Sequence, residues 1–198
     1  MRIVQITDLH IGLIGEDTFG VDVRGNFQKV LAHICRLPID YLILSGDLCY
    51  RDPEPSIFQY VKDQLDQTEI PYSVIAGNHD NSLQLAQVFG QLDQVKGEEL
   101  FFKLQIDGIP IILLDTAVGR CSKTQKDWLC NQLQTIAGDQ IIFMHHPPTL
   151  AQVPYMDNNH ALQDWAEIQD ILSQAPGEVH VFCGHYHISK TIHKGPLH

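Results

Sequence analysis

The sequence predicts an α/β fold in which a mixed β-sheet is layered with helices. Short apolar runs with β-branched residues alternate with longer amphipathic stretches along most of the 198 residues, a pattern typical of layered α/β domains. The segment "FFKLQIDGIPIILLDTA" differs, because two strand-like runs flank Asp107-Gly108, and an Asp-Gly pair between strands is a hairpin signal. We therefore expect antiparallel pairing beside the parallel pairing.

Five short runs are predicted to be buried strands, because each is largely apolar and is followed at once by polar residues or glycine. They are Ile3–Ile6, Tyr41–Leu44, Tyr72–Ile75, Ile141–Met144 and Val179–Phe182. Helices are predicted where apolar residues recur with a helical period. These stretches lie around residues 27–34, 58–65, 122–136 and 162–172.

Length and composition predict one globular domain over residues 1–198. The net charge of −11 disfavours polymeric nucleic acids as partners, because basic surfaces hold their backbone. No run approaches the roughly 18 apolar residues of a membrane helix, and Met1-Arg2 leads into the first strand rather than into a signal peptide. The five cysteines include no CxxC pair, which argues against a thiolate zinc site. We expect a cytoplasmic protein with no membrane partner.

Polar residues that can bind a metal follow each of the five predicted strands. In layered α/β sheets, ligands bind beyond the carboxyl ends of the strands, so we expect these residues to converge on one crevice. Burying several carboxylates and imidazoles together without a cation would cost on the order of several kcal/mol per group. The candidate metal ligands are Asp8, His10, Asp47, Asn78, His145, His185 and His187.

Seven candidate ligands are too many for one ion that keeps a position open for substrate, whereas two ions that share one carboxylate account for all of them. With Asp47 shared, one ion takes Asp8, His10 and His187. The other takes Asn78, His145 and His185. Imidazole and oxygen donors without thiolate favour Mn, Fe, Zn, Co or Ni, as two divalent or mixed-valence ions. In "GHYH", Tyr186 is then turned away from both ions.

The segments "DLH", "GDL", "GNHD", "MHHPP" and "GHYH", in this order and at these distances, resemble the five blocks of the calcineurin-like metallophosphoesterases. Within that superfamily the similarity is closest to the bacterial class III cyclic nucleotide phosphodiesterases and their glycerophosphodiesterase relatives. The segments between the blocks, such as "GDLCYRDPEPSIFQYVKDQL" and "YMDNNHALQDWAEI", also resemble that branch, so the similarity extends over nearly the whole chain.

The resemblance implies a four-layer α/β/β/α sandwich of two mixed sheets, with a dinuclear metal centre between them. It also implies hydrolysis of phosphoric esters, and the expected activity is a phosphodiesterase for small substrates such as 3′,5′-cyclic AMP. A broad-specificity glycerophosphodiesterase or phosphomonoesterase is the alternative, and a non-catalytic scaffold on the same fold is a remote one. Relatives continue with further strands, so we expect the sequence to be truncated after His198. A homodimer stays open.

Three residues beside the ligands are expected to act on the substrate or on its surroundings. In the family, the histidine that matches His79 contacts the phosphate and protonates the leaving group. Asp80 either orients His79 or caps the helix that begins near Ser82. His146 either contacts substrate or makes a hydrogen bond beside a metal ligand. A contact between substrate and His160, in the "YMDNNH" loop, stays open.

Overall fold

A three-stranded parallel sheet forms the first half of the molecule in the computed structural model, which describes residues 1–198. Its strands are β1 (Ile3–Ile6), β2 (Tyr41–Ser45) and β3 (Tyr72–Ile75), in the order β1-β2-β3. All pair in parallel, so their carboxyl ends meet at one edge. A short antiparallel hairpin follows, made of β4 (Val95–Lys96) and β5 (Glu99–Leu100).

A four-stranded mixed sheet forms the second half. Its strands, in spatial order, are β6 (Phe102–Ile106), β7 (Ile109–Leu113), β8 (Gln140–Phe143) and β9 (Val179–Phe182). The first pair is antiparallel and the other two are parallel, so the predicted mixed pairing is confirmed. Asp107 and Gly108 connect β6 to β7 with φ angles of 51° and 79°, as in the tight turns that suit hairpins.

Six α-helices surround the sheets. They are α1 (Val23–Ile34), α2 (Pro55–Asp66), α3 (Ser82–Phe89), α4 (Lys123–Thr135), α5 (Pro154–Asn159) and α6 (Trp165–Leu172). The last predicted helix, over 162–172, starts later than expected because Gln163 and Asp164 form a turn. Helix α5 and the β4–β5 hairpin were not predicted. None of the six helices combines the length and the hydrophobicity that crossing a membrane requires.

Alternating side chains on β7 divide the apolar interior into two layers. Ile111 and Leu113 pack with the first sheet and with residues of α1, α2 and α3, whereas Ile112 packs with residues of α4 and α6. The order of layers is therefore helices, sheet, sheet, helices, and the predicted four-layer sandwich is confirmed. In detail, only the second sheet is mixed, because the first contains parallel pairs alone.

Candidate metal centre

Five strand ends bring polar side chains together between the two sheets. The residues that follow β1, β2, β3, β8 and β9 include Asp8, His10, Asp47, Asn78, His145, His185 and His187. Three groups have ligand atoms within 4.8 Å of one another, namely Asp8–His10–His187, His10–Asp47–His79 and Asp47–His145–His185. The groups share His10 and Asp47, so they form one continuous cluster.

The backbone is strained at most of these positions. Five of the nine non-glycine residues with positive φ are candidate ligands: Asp8, His10, Asp47, His185 and His187, with φ between 45° and 71°. This left-handed conformation costs an L-residue about 1–3 kcal/mol, and such strain clusters at functional sites. It turns consecutive side chains out of the alternating pattern of a strand and aims them at one point.

One end of the cluster is formed by Asp8, His10 and His187. The Nε2 atom of His187 lies 3.1 Å from Oδ1 of Asp8 and 3.1 Å from Nε2 of His10. The third edge of the triangle, from His10 Nε2 to Asp8 Oδ1, is 3.9 Å. Thr7 donates a hydrogen bond of 2.8 Å to the other carboxylate oxygen of Asp8, which fixes the orientation of that carboxylate.

The other end is formed by Asp47, Asn78, His145 and His185. The Nε2 atom of His145 lies 3.2 Å from Oδ2 of Asp47 and 3.2 Å from Oδ1 of Asn78. The same Asp47 oxygen is 3.8 Å from Nε2 of His10, so Asp47 stands between the two ends. Tyr186 points elsewhere, because its buried hydroxyl donates a 3.0 Å hydrogen bond to Asp157.

Backbone carbonyls hold the imidazole rings in fixed orientations. Nδ1 of His145 lies 2.9 Å from the carbonyl oxygen of Ser45, and Nε2 of His185 lies 2.8 Å from that of His160. Because a carbonyl oxygen can only accept, the ring nitrogen that faces it carries a proton, and in the neutral ring the opposite nitrogen has its lone pair toward the cluster. This is the tautomer that a metal-binding histidine needs.

The donor set fits two metal ions. Metal bonds of about 2.0–2.2 Å place neighbouring ligand atoms roughly 3.0–3.6 Å apart, and the two ends contain contacts of 3.1–3.2 Å. Imidazole, carboxylate and amide oxygen are all donors that can hold metal ions. The two ends would each hold one ion, and Asp47 is placed to bind both.

Carboxylates and imidazoles of the cluster lie within ion-pair distance of one another. Burial alone would raise the pKa of Asp47, but hydrogen bonds from His145 and from the backbone of His79 hold it well below its usual value. Burial also opposes the charged form of His145, yet the neighbouring Asp47 raises the pKa of that imidazole. At the other end, the hydrogen bond to Asp8 raises the pKa of His187. The site therefore stabilises positive charge beside its carboxylates.

His79 belongs to the cluster through the group His10–Asp47–His79, although it is not one of the seven predicted ligands. Its backbone N–H donates to Oδ1 of Asp47 at 2.9 Å, its Nδ1 lies 2.9 Å from the carbonyl oxygen of Arg51, and its Nε2 is 3.9 Å from Oδ2 of Asp47. The ring also contacts the ring of His10 edge to face, with 5.1 Å between centroids. Nε2 is the nitrogen that remains for a substrate.

Asp80 is placed differently from both sequence-based alternatives. Its carboxylate is buried and accepts hydrogen bonds from the backbone N–H groups of Gly77, Leu48 and Cys49 at 2.9–3.1 Å. It has no hydrogen bond to His79, and Asn81 rather than Asp80 caps α3. Asp80 therefore joins the loop after β2 to the loop after β3, and so fixes the spacing between Asp47 and Asn78.

His146 is buried behind the cluster. Its Nδ1 and its backbone N–H both lie within 3.1 Å of the hydroxyl oxygen of Thr116, and its ring centroid is 4.1 Å from that of His185. Burial lowers the pKa of His146 to about 2, with His185 and His145 adding to the effect. These contacts are those of a neutral side chain that supports His185.

Two glycines are required by close approaches in the centre. Gly46 has a φ of 101°, and a Cβ atom there would come within 2.7 Å of Nδ1 of His145. At Gly184 a Cβ atom would collide with the side chains of Thr7 and Asp8. Any larger residue at either position would displace the ligands beside it.

The groups that orient the imidazole rings of the centre from behind could not be recognised in the sequence. Thr116 and the carbonyl oxygens of Ser45, Arg51 and His160 all take this role. Every residue carries a carbonyl, so its use cannot be recognised before the fold is known. The loop that contains His160 thus reaches the centre through its backbone, at His185.

Comparisons with known proteins show which family the sequence resembles. A model of the calcineurin-like phosphoesterase family matches residues 1–189. A probable cyclic nucleotide phosphodiesterase of Fibrobacter succinogenes is 33% identical over 97% of this chain and 75% of its own length. A probable glycerophosphodiester phosphodiesterase of Arcobacter nitrofigilis, GpdQ, is 28% identical over 97% and 74%. The 3′,5′-cyclic adenosine monophosphate phosphodiesterase CpdA of Escherichia coli is 26% identical over 94% and 70%.

Solved structures share the fold at lower sequence identity. A dimetal phosphatase from Danio rerio superposes with a TM-score of 0.70 at 12% identity, over 93% of this chain and 81% of that one. A purple acid phosphatase from yellow lupin superposes with a TM-score of 0.67 at 14% identity, over 93% of this chain and 37% of that one. With the family match, the converging strand ends and the fold in agreement, the chain belongs to the calcineurin-like phosphoesterase family.

Proposed function

We propose that this protein is a dinuclear metal-dependent phosphodiesterase for small substrates, with 3′,5′-cyclic nucleotides such as cyclic AMP as the leading class. The observation that carries the proposal is the position of Asp47, whose Oδ2 lies 3.2 Å from His145 and 3.8 Å from His10. One carboxylate between two sets of nitrogen donors is the arrangement that a two-metal hydrolase needs.

Two bound ions would supply Lewis-acid polarisation of the phosphate and activation of water. Asp8, His10 and His187 would hold one ion. Asn78, His145 and His185 would hold the other, with Asp47 shared. We infer that the native ions belong to the set Mn, Fe, Zn, Co and Ni, because the donors are nitrogen and oxygen only.

The chain's own part in the reaction centres on His79. Its Nδ1–H is held by the carbonyl oxygen of Arg51, so its Nε2 can carry a second proton toward the substrate. We assign His79 to contact the phosphate and to protonate the departing alkoxide, a contribution typically worth about 10²–10⁴ in rate. Asp80 acts on the same step as a positioning residue, through the loops that carry Asn78 and Asp47.

The relatives are named for two classes of phosphodiester, cyclic nucleotides and glycerophosphodiesters. One is named for cyclic AMP, another for cyclic nucleotides in general, and a third for glycerophosphodiesters. A broad glycerophosphodiesterase is therefore the second candidate. We further propose that the protein works in the cytoplasm on a small phosphoester, with neither nucleic acid polymer nor membrane as partner. A homodimer is compatible with both candidates.

The deciding experiment is steady-state kinetics with defined metals. Wild-type protein loaded with Mn²⁺ is tested on 3′,5′-cyclic AMP, glycerophosphoethanolamine, a phosphomonoester and bis(p-nitrophenyl) phosphate. We expect the highest kcat/KM among the natural esters for the cyclic nucleotide. Turnover of the aryl diester without turnover of the cyclic nucleotide would support a phosphodiesterase but contradict cyclic nucleotides as its substrates. If none of the esters is hydrolysed, the proposed hydrolase activity is contradicted.

A further inference from the structure

A cavity of about 840 Å³ extends from the metal centre to two aromatic residues. It is lined on one side by Asp8, His10, His79 and His187, and on another by Phe19 and Tyr50. This volume lies within the usual range for sites that bind small organic molecules. A molecule whose phosphate is at the metal centre therefore has its remaining part beside these aromatic rings.

Phe19 occupies a position that neither packing nor backbone preference explains. Its side chain is 85% exposed, so it contributes little to the core. Its φ is 56°, and the next residue, Gly20, has a φ of 72°, within a turn closed by a 3.1 Å bond from Val21 N–H to the Thr18 carbonyl. Asn and Gly are the usual residues at such a turn position, and a bulky residue there is strained. A contact outside the folded core would account for phenylalanine.

The turn that carries Phe19 is held in place at both ends. Gly20 N–H donates to Oδ1 of Asp17 at 2.8 Å. Phe19 lies in the loop between β1 and α1. Near the start of that loop, Tyr50 N–H donates to the carbonyl oxygen of Ile11 at 3.0 Å. The rings of Phe19 and Tyr50 then meet edge to face, with 6.1 Å between centroids. The aromatic pair is thus arranged before any ligand arrives, which lowers the entropic cost of binding.

The chemistry of the cavity wall selects the kind of ligand. Beside the aromatic pair the wall is aliphatic, with Val21, Val23 and Ile188. No Lys or Arg lines the cavity; the guanidinium of Arg51 lies 5.1 Å from the centroid of the Tyr50 ring and pairs with Glu16 at 3.6 Å. Thr18 and Ser189 also line the cavity, and the Thr18 hydroxyl already donates to the carbonyl oxygen of Val21. A planar heterocycle gains stacking and apolar contact from the aromatic and aliphatic part of the wall, which glycerol cannot gain.

We propose that Phe19 and Tyr50 form a binding wall for the base of a nucleoside monophosphate ester whose phosphate lies at the metal centre. The inference rests on the proposed function and adds which alcohol the site prefers. It assigns Phe19 as a specificity-determining residue for nucleotides over glycerophosphodiesters.

The kinetic test compares Phe19→Ala with wild type on 3′,5′-cyclic AMP and on glycerophosphoethanolamine, both with Mn²⁺. Loss of one stacking contact is expected to raise KM for the nucleotide about tenfold with little change in kcat, and to leave the aliphatic diester unaffected. Ile14→Ala is the matched control, because Ile14 is 92% exposed on the same loop and does not line the cavity. Equal losses on both substrates, or no loss on either, would overturn the proposal.

A binding test needs no turnover. Phe19→Trp keeps a stacking surface at the wall and introduces a fluorophore there, and adding 5′-AMP is expected to quench its emission, whereas ribose 5-phosphate is not. The wild-type protein, with Trp128 and Trp165 outside the cavity, serves as the background. Absence of specific quenching by 5′-AMP would overturn the base wall even if every diester is hydrolysed. Failure of the proposed function is seen separately, as a wild-type protein that hydrolyses no ester.

Discussion

The Nδ1 atom of His79 lies 2.9 Å from the carbonyl oxygen of Arg51. A carbonyl accepts and does not donate, so Nδ1 carries a proton and the neutral ring has its lone pair on Nε2. Nε2 can therefore donate a proton only when the ring is doubly protonated. A backbone carbonyl therefore fixes the ring of His79 in this tautomer, and a side-chain substitution at Arg51 would leave that carbonyl in place.

Replacing His79 by alanine is expected to retain both metal ions and to lower kcat by about 10²–10⁴ on esters with poor leaving groups. Esters of p-nitrophenol need no proton on the leaving oxygen and are expected to lose much less. The measurement is the dependence of kcat on the pKa of the leaving group, for wild type and variant. Equal losses across the series would assign His79 to phosphate binding instead of proton donation.

Asp47 is predicted to be indispensable for the second ion. We expect Asp47→Ala to bind fewer than the roughly two transition-metal ions per chain expected of the wild type, by elemental analysis, and to lose turnover. Asp127→Ala is the control, because Asp127 is 66% exposed and pairs only with Lys123. Full metal content and retained turnover in Asp47→Ala would contradict the shared-carboxylate arrangement.

Asp80 is predicted to matter through the two loops that it joins. In Asp80→Asn an amide NH₂ would face backbone N–H groups of Gly77, Leu48 or Cys49, which now donate to the carboxylate. We expect a loss of about 2–4 kcal/mol in the free energy of unfolding, measured by urea denaturation, together with weaker metal binding. The exposed Asp127→Asn should change neither, and wild-type stability in Asp80→Asn would show that the three hydrogen bonds are not needed.

Asp115 offers a test of pH dependence away from the ligands. The carboxylate is buried and accepts from the backbone N–H groups of Leu100 at 2.7 Å and Ala117 at 2.9 Å. Burial raises its pKa above the ordinary value in spite of these bonds. The folded state therefore binds this proton more tightly than the unfolded state, and the contribution of Asp115 to stability falls as pH rises through that window.

Asp115→Asn removes this titration, and its amide NH₂ would face one of the two backbone N–H groups that now donate to the carboxylate. We expect the variant to be less stable than wild type, with the difference in unfolding free energy shrinking as pH rises from about 4. Urea denaturation of both proteins between about pH 4 and pH 7 measures that difference. A difference that grows with pH would mean that the folded state favours the ionised carboxylate.

The strands were predictable because their sequence signal is local. Ile3–Ile6, Tyr72–Ile75 and Val179–Phe182 are short apolar runs bounded by polar residues, and the structure has strands at the same residues. The hairpin at Asp107-Gly108 was equally local, since the pair supplies the two positive φ angles that the turn needs. Helix α5 was missed because Pro154–Asn159 is too short for a helical period to be recognised.

The part of the site that the sequence predicts is the set of metal-ligating side chains that directly follow the strands. The structure gathers the seven residues named from the sequence into one cluster, with His187 beside Asp8 and His185 in the group of Asp47. The environment of Asp80 was not predictable, because two of its three donors lie 31 and 32 residues away, at Cys49 and Leu48. The role proposed for Phe19 was not predictable either, because the exposure and the turn conformation of a loop residue are known only from the folded structure.

Stability and metal binding favour different residues at the positions with left-handed backbone. These positions are Asp8, His10, Asp47, His185 and His187. Glycine would relieve the strain at each of these positions, because it adopts positive φ at no steric cost. A chain selected for robustness alone would therefore drift toward glycine and lose its metal centre. If these aspartates and histidines bind metal as proposed, their ligand atoms come at the expense of stability. Attempts to make the enzyme more heat-resistant should begin elsewhere, at strained positions outside the centre such as Glu69 and Gln152.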